Sequence, residues 1–314
     1  MTTVAVNVLQ YLLLVLGAPV LRALIARVKA LIQRRQGSNL WRPYADLLKL
    51  FRKEDLVPPT SSPLFRFAPM MLTASTFVAA ALVPTVYQSA LLGFAGDFIV
   101  LVYVLALGRF FMGLGALDGS SSFAGMGASR EAMISALAEA PLLLGLIAVA
   151  ILARQGNIVE IVRWTLKQNF FDVSAVHAVA FAALAMVAIA ETGRMPVDNP
   201  TTHLELTMIH EAMVLEYSGP SLALIEWTQA VKLNVVLSLL IGLFAPWGMA
   251  TSLTFAGLAL GLSAYLLKLV VLAIVIAVLE SSIAKLRMYM VPEFLGIATA
   301  LGALAVVFTA LMRR

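Results

Sequence analysis

Residues 233–267 read LNVVLSLLIGLFAPWGMATSLTFAGLALGLSAYLL, thirty-five consecutive positions without an Asp, Glu, Lys or Arg. A helix crosses a bilayer's hydrocarbon core with roughly 20 apolar residues, so the end of one span and the start of the next fit inside this run. Uncharged windows at 67–96, 140–153 and 173–190 extend the pattern along the chain. Candidate spans fall at 4–25, 67–87, 98–117, 132–153, 173–190, 222–245, 253–279 and 294–312. The expected fold is therefore an all-α integral membrane protein of about eight transmembrane helices, a single membrane domain over 1–314. Composition agrees, with 61% hydrophobic and 12% charged residues against roughly 45–50% and 25% in soluble domains.

Between the first two spans, 27–66 form a basic loop holding Arg27, Lys29, Arg34, Arg35, Arg42, Lys49, Arg52, Lys53 and Arg66. Basic loops stay cytoplasmic, which places both termini of an eight-span chain on the non-cytoplasmic side. Arg154, Arg163, Lys167 and the terminal Arg313 and Arg314 run against that bias, so the orientation rests on the first loop. Within the loop Tyr44, Leu47, Leu48 and Phe51 recur at helical spacing, the pattern of an amphipathic helix lying in the interface. The net charge of +5 thus reads as membrane orientation, and nucleic acid is not an expected partner. The Gly- and Ser-rich stretch 118–129 reads as a flexible connection, since no strand precedes it and no Gly-Lys-Ser/Thr signature follows.

The sequence contains no cysteine, and iron–sulfur and nickel–iron centres usually depend on thiolate ligands. Any redox centre is expected on partner subunits, with no cofactor in this chain. Charge inside a span costs roughly 2.5–3.5 kcal/mol even on lenient scales, so the first functional candidates are Glu139, Glu226, Lys232 and Lys268, with Arg109 and Glu280 beside them. The densest acidic stretch, 191–219, holds Glu191, Asp198, Glu205, Glu211 and Glu216. On a continuous helix Glu205 and Glu216 share a face after three turns, a row suited to proton relay, with a solvated acidic loop as the plainer alternative. His203 and His210 also share a face, but two turns separate them by roughly 10 Å, which argues against one metal ion.

Three stretches carry a family resemblance. Gln33-Arg34-Arg35-Gln36-Gly37, continuing through Ala45-Asp46-Leu47-Leu48-Lys49-Leu50-Phe51 to Lys53-Glu54-Asp55, resembles the first cytoplasmic loop of the complex I membrane subunit called subunit 1 or H. Arg130 followed nine residues later by Glu139 looks like that family's intramembrane motif. Glu191-Thr192-Gly193-Arg194-Met195-Pro196-Val197-Asp198-Asn199-Pro200, then Glu205-Leu206 and Glu216-Tyr217-Ser218-Gly219, is similar to its Glu-Thr-Asn-Arg-x-Pro-x-Asp loop and following Glu-Tyr-Ser-Gly.

The resemblance implies a membrane subunit that docks a hydrophilic redox arm. Glu139, Glu191, Glu205 and Glu216 match glutamates of the proton path, and Arg34, Arg35, Arg194 and Asp198 match the junction loops. Glu226, Lys232 and Lys268 join the path by intramembrane position alone. Gly193 replaces the family's Asn, His203 stands where quinone-reducing members carry a second Glu, and the interval from Glu205 to Glu216 is three residues longer. The chain looks more like the membrane-anchor subunit of group 4 membrane-bound nickel–iron hydrogenases, of formate hydrogenlyase and hydrogenase-4 type. Expected partners are then hydrogenase-like large and small subunits, an iron–sulfur subunit and antiporter-like membrane subunits in a prokaryotic plasma membrane. A quinone-reducing complex I subunit and a stand-alone ion transporter are the alternatives.

Overall fold

With no water in the bilayer core, a crossing backbone must satisfy its own N–H and C=O groups, and helices do so within one segment. A computed structural model describes residues 3–168, 175–199 and 208–312. Its helices are α1 Thr3–Ile32, α2 Arg42–Phe51, α3 Pro63–Leu82, α4 Phe98–Asp118, α5 Ser122–Ala153 and α6 Ile158–Lys167. They continue as α7 Ala175–Glu191, α8 His210–Val214, α9 Gly219–Phe244, α10 Phe255–Ser282 and α11 Val291–Met312. Seven are long and apolar enough to cross a membrane, and α7 is a shorter apolar helix. The expected all-α membrane fold of about eight spans is the observed one.

α9 is the centre of the bundle. In its most apolar window 78% of the residues are buried, against 17% for α10, and every residue over 233–244 is buried. α9 packs against α1, α3, α7 and α10, while α5 packs against α4, α7, α8 and α11. Leu14, Leu21 and Ile25 of α1, Leu101 of α4, Leu146 of α5 and Leu243 of α9 share one core cluster. α10 turns a face of Leu266, Leu267, Val270, Val271, Ile274 and Val278 outward, which suits lipid.

The connections gather at two ends. The near end carries α2, the turn after α4, α8 and the segment between α10 and α11. Asp118 accepts bonds there from Ser62 N (2.8 Å), Ser62 Oγ (2.9 Å) and Phe65 N (3.2 Å). Ser221 Oγ donates to Asp55 (2.7 Å), and Leu56 N donates to Ser218 Oγ (2.8 Å). Phe65 stacks on Tyr217 with ring centroids 4.1 Å apart. At the far end Tyr87 pairs with Ala250 and Asp97 with Asn157.

Three expectations change. α4 ends at Asp118 and α5 begins at Ser122, so most of 118–129 is helix and the connection is a tight turn. The small residues there serve packing: Ala124 and Ala128 sit in a core cluster with Met213 and Tyr217. α6 was not anticipated, because its ten residues are too few for a span. It gives Arg163, one of the contrary basic residues of the far end, its partners, since Arg163 donates to Glu160 (2.6 Å) and to the Gln88 carbonyl (3.0 Å). Finally, Glu205 lies outside the described residues, and Glu216 follows α8 in the turn before α9. Residues 208 and 209 are not helical, so no continuous helix joins the two glutamates.

Candidate functional site

Helical spacing builds a charged chamber at the near end. On α1, Arg22, Ile25, Ala26 and Lys29 recur at i, i+3, i+4 and i+7 and therefore share a face. On α9, Glu226, Gln229, Ala230 and Leu233 do the same, with Lys232 beside them. α7 stops at Glu191 because Gly193 takes a left-handed φ of 57°, and Arg194 N then closes back on the Ile189 carbonyl at 3.0 Å. That glycine-closed end turns Glu191, Thr192 and Arg194 toward α1 and α9. Glu131 of α5 and His210 and Glu211 of α8 complete a cavity of about 170 Å³.

Buried charges persist where partners compensate their lost hydration. Glu191, its side chain 5% exposed, lies between Arg109 of α4 and Lys232 of α9, whose Nζ is 3.1 Å away. Glu280 of α10 has a fully buried side chain between Lys29 Nζ at 2.8 Å and Arg194 at 3.0 Å. Glu226 pairs with Arg22. Asp198 holds Lys285 at 2.7 Å and accepts from the backbone of Asn199 (2.8 Å) and His210 (3.3 Å). Arg130 donates to the Met208 carbonyl at 2.9 Å. These bonds join α4, α7, α9 and α10 at the near end, with Lys29 bringing in α1 through Glu280.

Glu131 and Glu211 line the cavity without an ion pair among the described residues. Burial holds the Glu211 carboxyl above the usual carboxylate range, with Glu226 and Asp198 adding to the rise while His210 and Arg22 oppose it. Burial, helped by Asp118 and Asp55, likewise pushes the neighbouring Tyr217 hydroxyl up.

Of the sequence candidates, Glu191, Lys232, Arg194 and Asp198 line this chamber, and Glu226 pairs with Arg22 on its rim. Lys268 does not join them. Its Nζ donates to the carbonyls of Ala245 (2.6 Å) and Trp247, where α9 ends at the far side. Glu139 is half-buried on α5 and has no ion pair among the described residues. Glu216 stands by the turn after α4, near Gly119. Arg34 and Arg35 are exposed at the near end. The sequence reading passes over Lys29, Glu131 and His210 as site residues. The spacing of Arg22 and Lys29 on α1 was a usable signal, whereas nothing local marks Glu131.

Membrane-crossing helices around a central helix, with a charged chamber beneath their loop-rich end, define a multi-pass membrane protein with buried ion pairs at one end. Residues 4–310 match the family described as NADH dehydrogenase, and the chain belongs to that family, the one containing subunit 1/H of complex I. Formate hydrogenlyase subunit 4 of Escherichia coli is 35% identical over 91% of this chain and 92% of its own. Hydrogenase-4 component C of the same organism is 33% identical over 95% of this chain and 93% of its own. The H subunit of NADH-quinone oxidoreductase from Geobacillus thermodenitrificans is 30% identical over 74% of this chain and 71% of its own. A chain in the solved structure of the membrane-bound sulfane sulfur reductase, an archaeal respiratory membrane complex, shares the fold. It matches with a TM-score of 0.80 over 96% of this chain and 99% of that one, at 22% identity.

Proposed function

We propose that this chain is the membrane anchor and ion-coupling subunit of a hydrogenase- or formate hydrogenlyase-like complex. It couples redox events in a peripheral arm to proton or sodium movement. The observation that carries the reading is the chamber, in which Glu191 at the end of α7 and Arg194 and Asp198 of the acidic segment after it are tied to three membrane helices, α4, α9 and α10, and to Lys285 just beyond α10. A rearrangement imposed on that segment from outside must change buried charge pairing, and charge pairing sets where protons reside.

The hydrogenase branch is supported by the identity to formate hydrogenlyase subunit 4 along nearly the whole chain. Hydrogenase-like large and small subunits and an iron–sulfur subunit then supply the metal centres, since this sequence has no cysteine. Antiporter-like subunits flank it in a prokaryotic membrane. The near end faces the cytoplasm and both termini the other side, with Arg34, Arg35, Arg194 and Asp198 at the junction. Glu139, Glu205 and Glu216 belong to the path, and Glu191, Glu226 and Lys232 set its charge.

The test is to purify the chain from its native membrane, identify what accompanies it, and compare Glu139→Gln with the parent in proton transport and hydrogen turnover. Obligate co-purification with nickel–iron and iron–sulfur subunits, with transport lost and assembly retained in the variant, supports the proposal. A stable, active single chain defeats it.

One observation favours a quinone-type second reading. A crevice of about 410 Å³ between α1, α2 and α9 has apolar walls of Pro19, Ala23, Leu47, Leu50 and Leu222 with Arg42, Asp46 and Glu226 among them, and meets the chamber at Arg22, Ala26 and Ala230. Inhibition of turnover by quinone-site inhibitors, with large-subunit partners lacking nickel-ligand cysteines, decides for it.

A further inference from the structure

The two halves of the chamber differ in what they can do with a proton. Glu191, Glu226, Glu280 and Asp198 already hold Arg22, Lys29, Arg109, Arg194, Lys232 and Lys285. Neutralising Glu191 or Glu280, the most deeply buried of these carboxylates, strands buried cations, which is strongly unfavourable. Facing them are Glu131, His210 and Glu211, none in an ion pair among the described residues. The His210 Nε2 is buried and has no hydrogen-bond partner there. Six cations against four carboxylates leave an excess of two positive charges, which Glu131 and Glu211 neutralise when both are ionised.

Cavity geometry connects these three groups. Glu211 lines the 170 Å³ chamber, whereas His210, Glu131, Gln229 and Lys232 line both it and a second cavity of about 40 Å³ reaching Arg109, Met112 and Thr228; of these four only His210 can both accept and release a proton through two ring nitrogens. Both spaces are lined in part by charged and polar side chains and exceed the roughly 10–15 Å³ that one water requires. A third cavity, about 30 Å³, continues from Arg109 and Glu191 toward the bundle centre between leucines, valines and an alanine, and apolar cavities stay dry. The polar route therefore turns sideways toward α5. Eight residues along that helix, roughly 12 Å by its rise, stands Glu139.

We infer that Glu211, His210 and Glu131 form the proton-exchanging face of the chamber, with His210 as the link between its two cavities. Glu211 gives its proton to one ring nitrogen, directly or through water, and becomes a carboxylate. The other ring nitrogen releases a proton to the Glu131 carboxylate. One proton has moved, the imidazole is neutral again in its other tautomer, and rotation of the ring resets it. Glu191 and Glu226 act here as fixed counter-charges. The inference rests on the coupling role proposed above and names where the exchange occurs. The raised Glu211 carboxyl fits a donor, in surroundings that also include Glu131, Glu191, Asp198, Glu226, Arg22, Lys29, Arg194 and Lys232.

The experiment uses the assembled complex in inverted membrane vesicles, with Glu131→Gln, Glu131→Asp, Glu211→Gln and His210→Gln. Subunit co-purification reads assembly, a fluorescent pH probe reads proton transport, and hydrogen turnover reads electron flow. Each neutral variant is expected to assemble and to lose about 100-fold in proton transport, the lower range for a positioned proton-transfer group. Glu131→Asp is expected to restore most of it. Parental transport declines as pH rises through the raised Glu211 pKa, because the donor is then ionised, and Glu211→Gln lacks that limb. If His210→Gln fails to assemble, the Glu131→Gln and Glu131→Asp pair decides. Parental transport in Glu131→Gln and Glu211→Gln, alongside loss in Glu139→Gln, overturns the inference and leaves the coupling role standing. A parent complex that moves no ions overturns both.

Discussion

Two lysines deep in apolar sequence, Lys232 and Lys268, are held in opposite ways. At the near end Lys232 faces Glu191, a carboxylate that also holds Arg109, within a chamber of further acids and bases. At the far end Lys268 reaches across from α10 to the carbonyls of Ala245 and Trp247. Ala245 caps the end of α9, and a cation placed there complements the negative end of the helix dipole. Both lysines look alike in sequence, as charges interrupting an apolar run. Their partners separate them, since a carboxylate is a counter-charge that joins Lys232 to Arg109 within the chamber, whereas a peptide carbonyl carries no net charge.

The sharpest way to break this comparison is to remove Glu191. Glu191→Ala leaves Arg109 and Lys232 without their shared carboxylate, and stranding one member of a buried pair costs about 3–5 kcal/mol. The expected outcome is a large loss of assembled complex, read as co-purified yield and as a lowered melting temperature. A parental melting temperature means that the two cations are compensated elsewhere, and the hub assigned to Glu191 is then wrong.

At the other end, Lys268→Met keeps the length of the side chain and deletes its charge. The lost charge-assisted bonds to two carbonyls are worth about 1.5–3 kcal/mol. The melting temperature is expected to fall while protons moved per electron stay at the parental ratio. A drop in that ratio returns Lys268 to the proton path and removes the contrast between the two ends.

A smaller effect separates the chamber's roof from its walls. A Cβ added at Gly127 of α5 meets the Ile209 carbonyl at 2.8 Å and Ala212 Cβ at 2.9 Å. Gly127→Ala must therefore push α8 outward, and overpacking of this kind costs about 1–3 kcal/mol. Because α8 carries His210 and Glu211, proton transport is expected to fall by more than the loss of assembled complex explains. Equal losses in the two readouts limit Gly127 to packing.

The helices were largely legible because a bilayer admits few solutions, and apolar runs of span length leave the backbone little choice. Small residues misled at 118–129, where Gly and Ser allow close helix contacts in a membrane protein and do not mark a loop. α6 escaped notice because ten amphipathic residues with basic side chains resemble a loop. Glu191, Glu226, Lys232, Arg194 and Asp198 were legible as charges in or beside apolar sequence. Their pairings were not, since Lys29 and Arg194 meet on Glu280 only after α1, the segment after α7 and α10 come together. Helical periodicity also assumes a helix: it aligned Glu205 with Glu216, yet the described helix between them is only His210–Val214.

The smallest expected effect concerns Gly193, where the chain departs from the Asn of the complex I pattern it resembles. Its φ of 57° is left-handed, and an added Cβ meets nothing within 4 Å. Backbone conformation therefore sets the cost of substitution here. Asn tolerates the left-handed region better than other non-glycine residues, so Gly193→Asn is expected to stay within about 0.5 kcal/mol of the parent. A β-branched Gly193→Val should cost about 1–2 kcal/mol, and thermal unfolding of the purified complex distinguishes the two. The residue also borders the chamber, so proton transport in Gly193→Asn asks a second question. Unchanged transport makes Gly and Asn interchangeable caps for α7 and removes this position from the differences that separate hydrogenase-type from quinone-reducing relatives. Altered transport at parental stability means that an amide beside Glu191 changes the chamber's chemistry, and the near end is then tuned at its helix cap as well as by its charges.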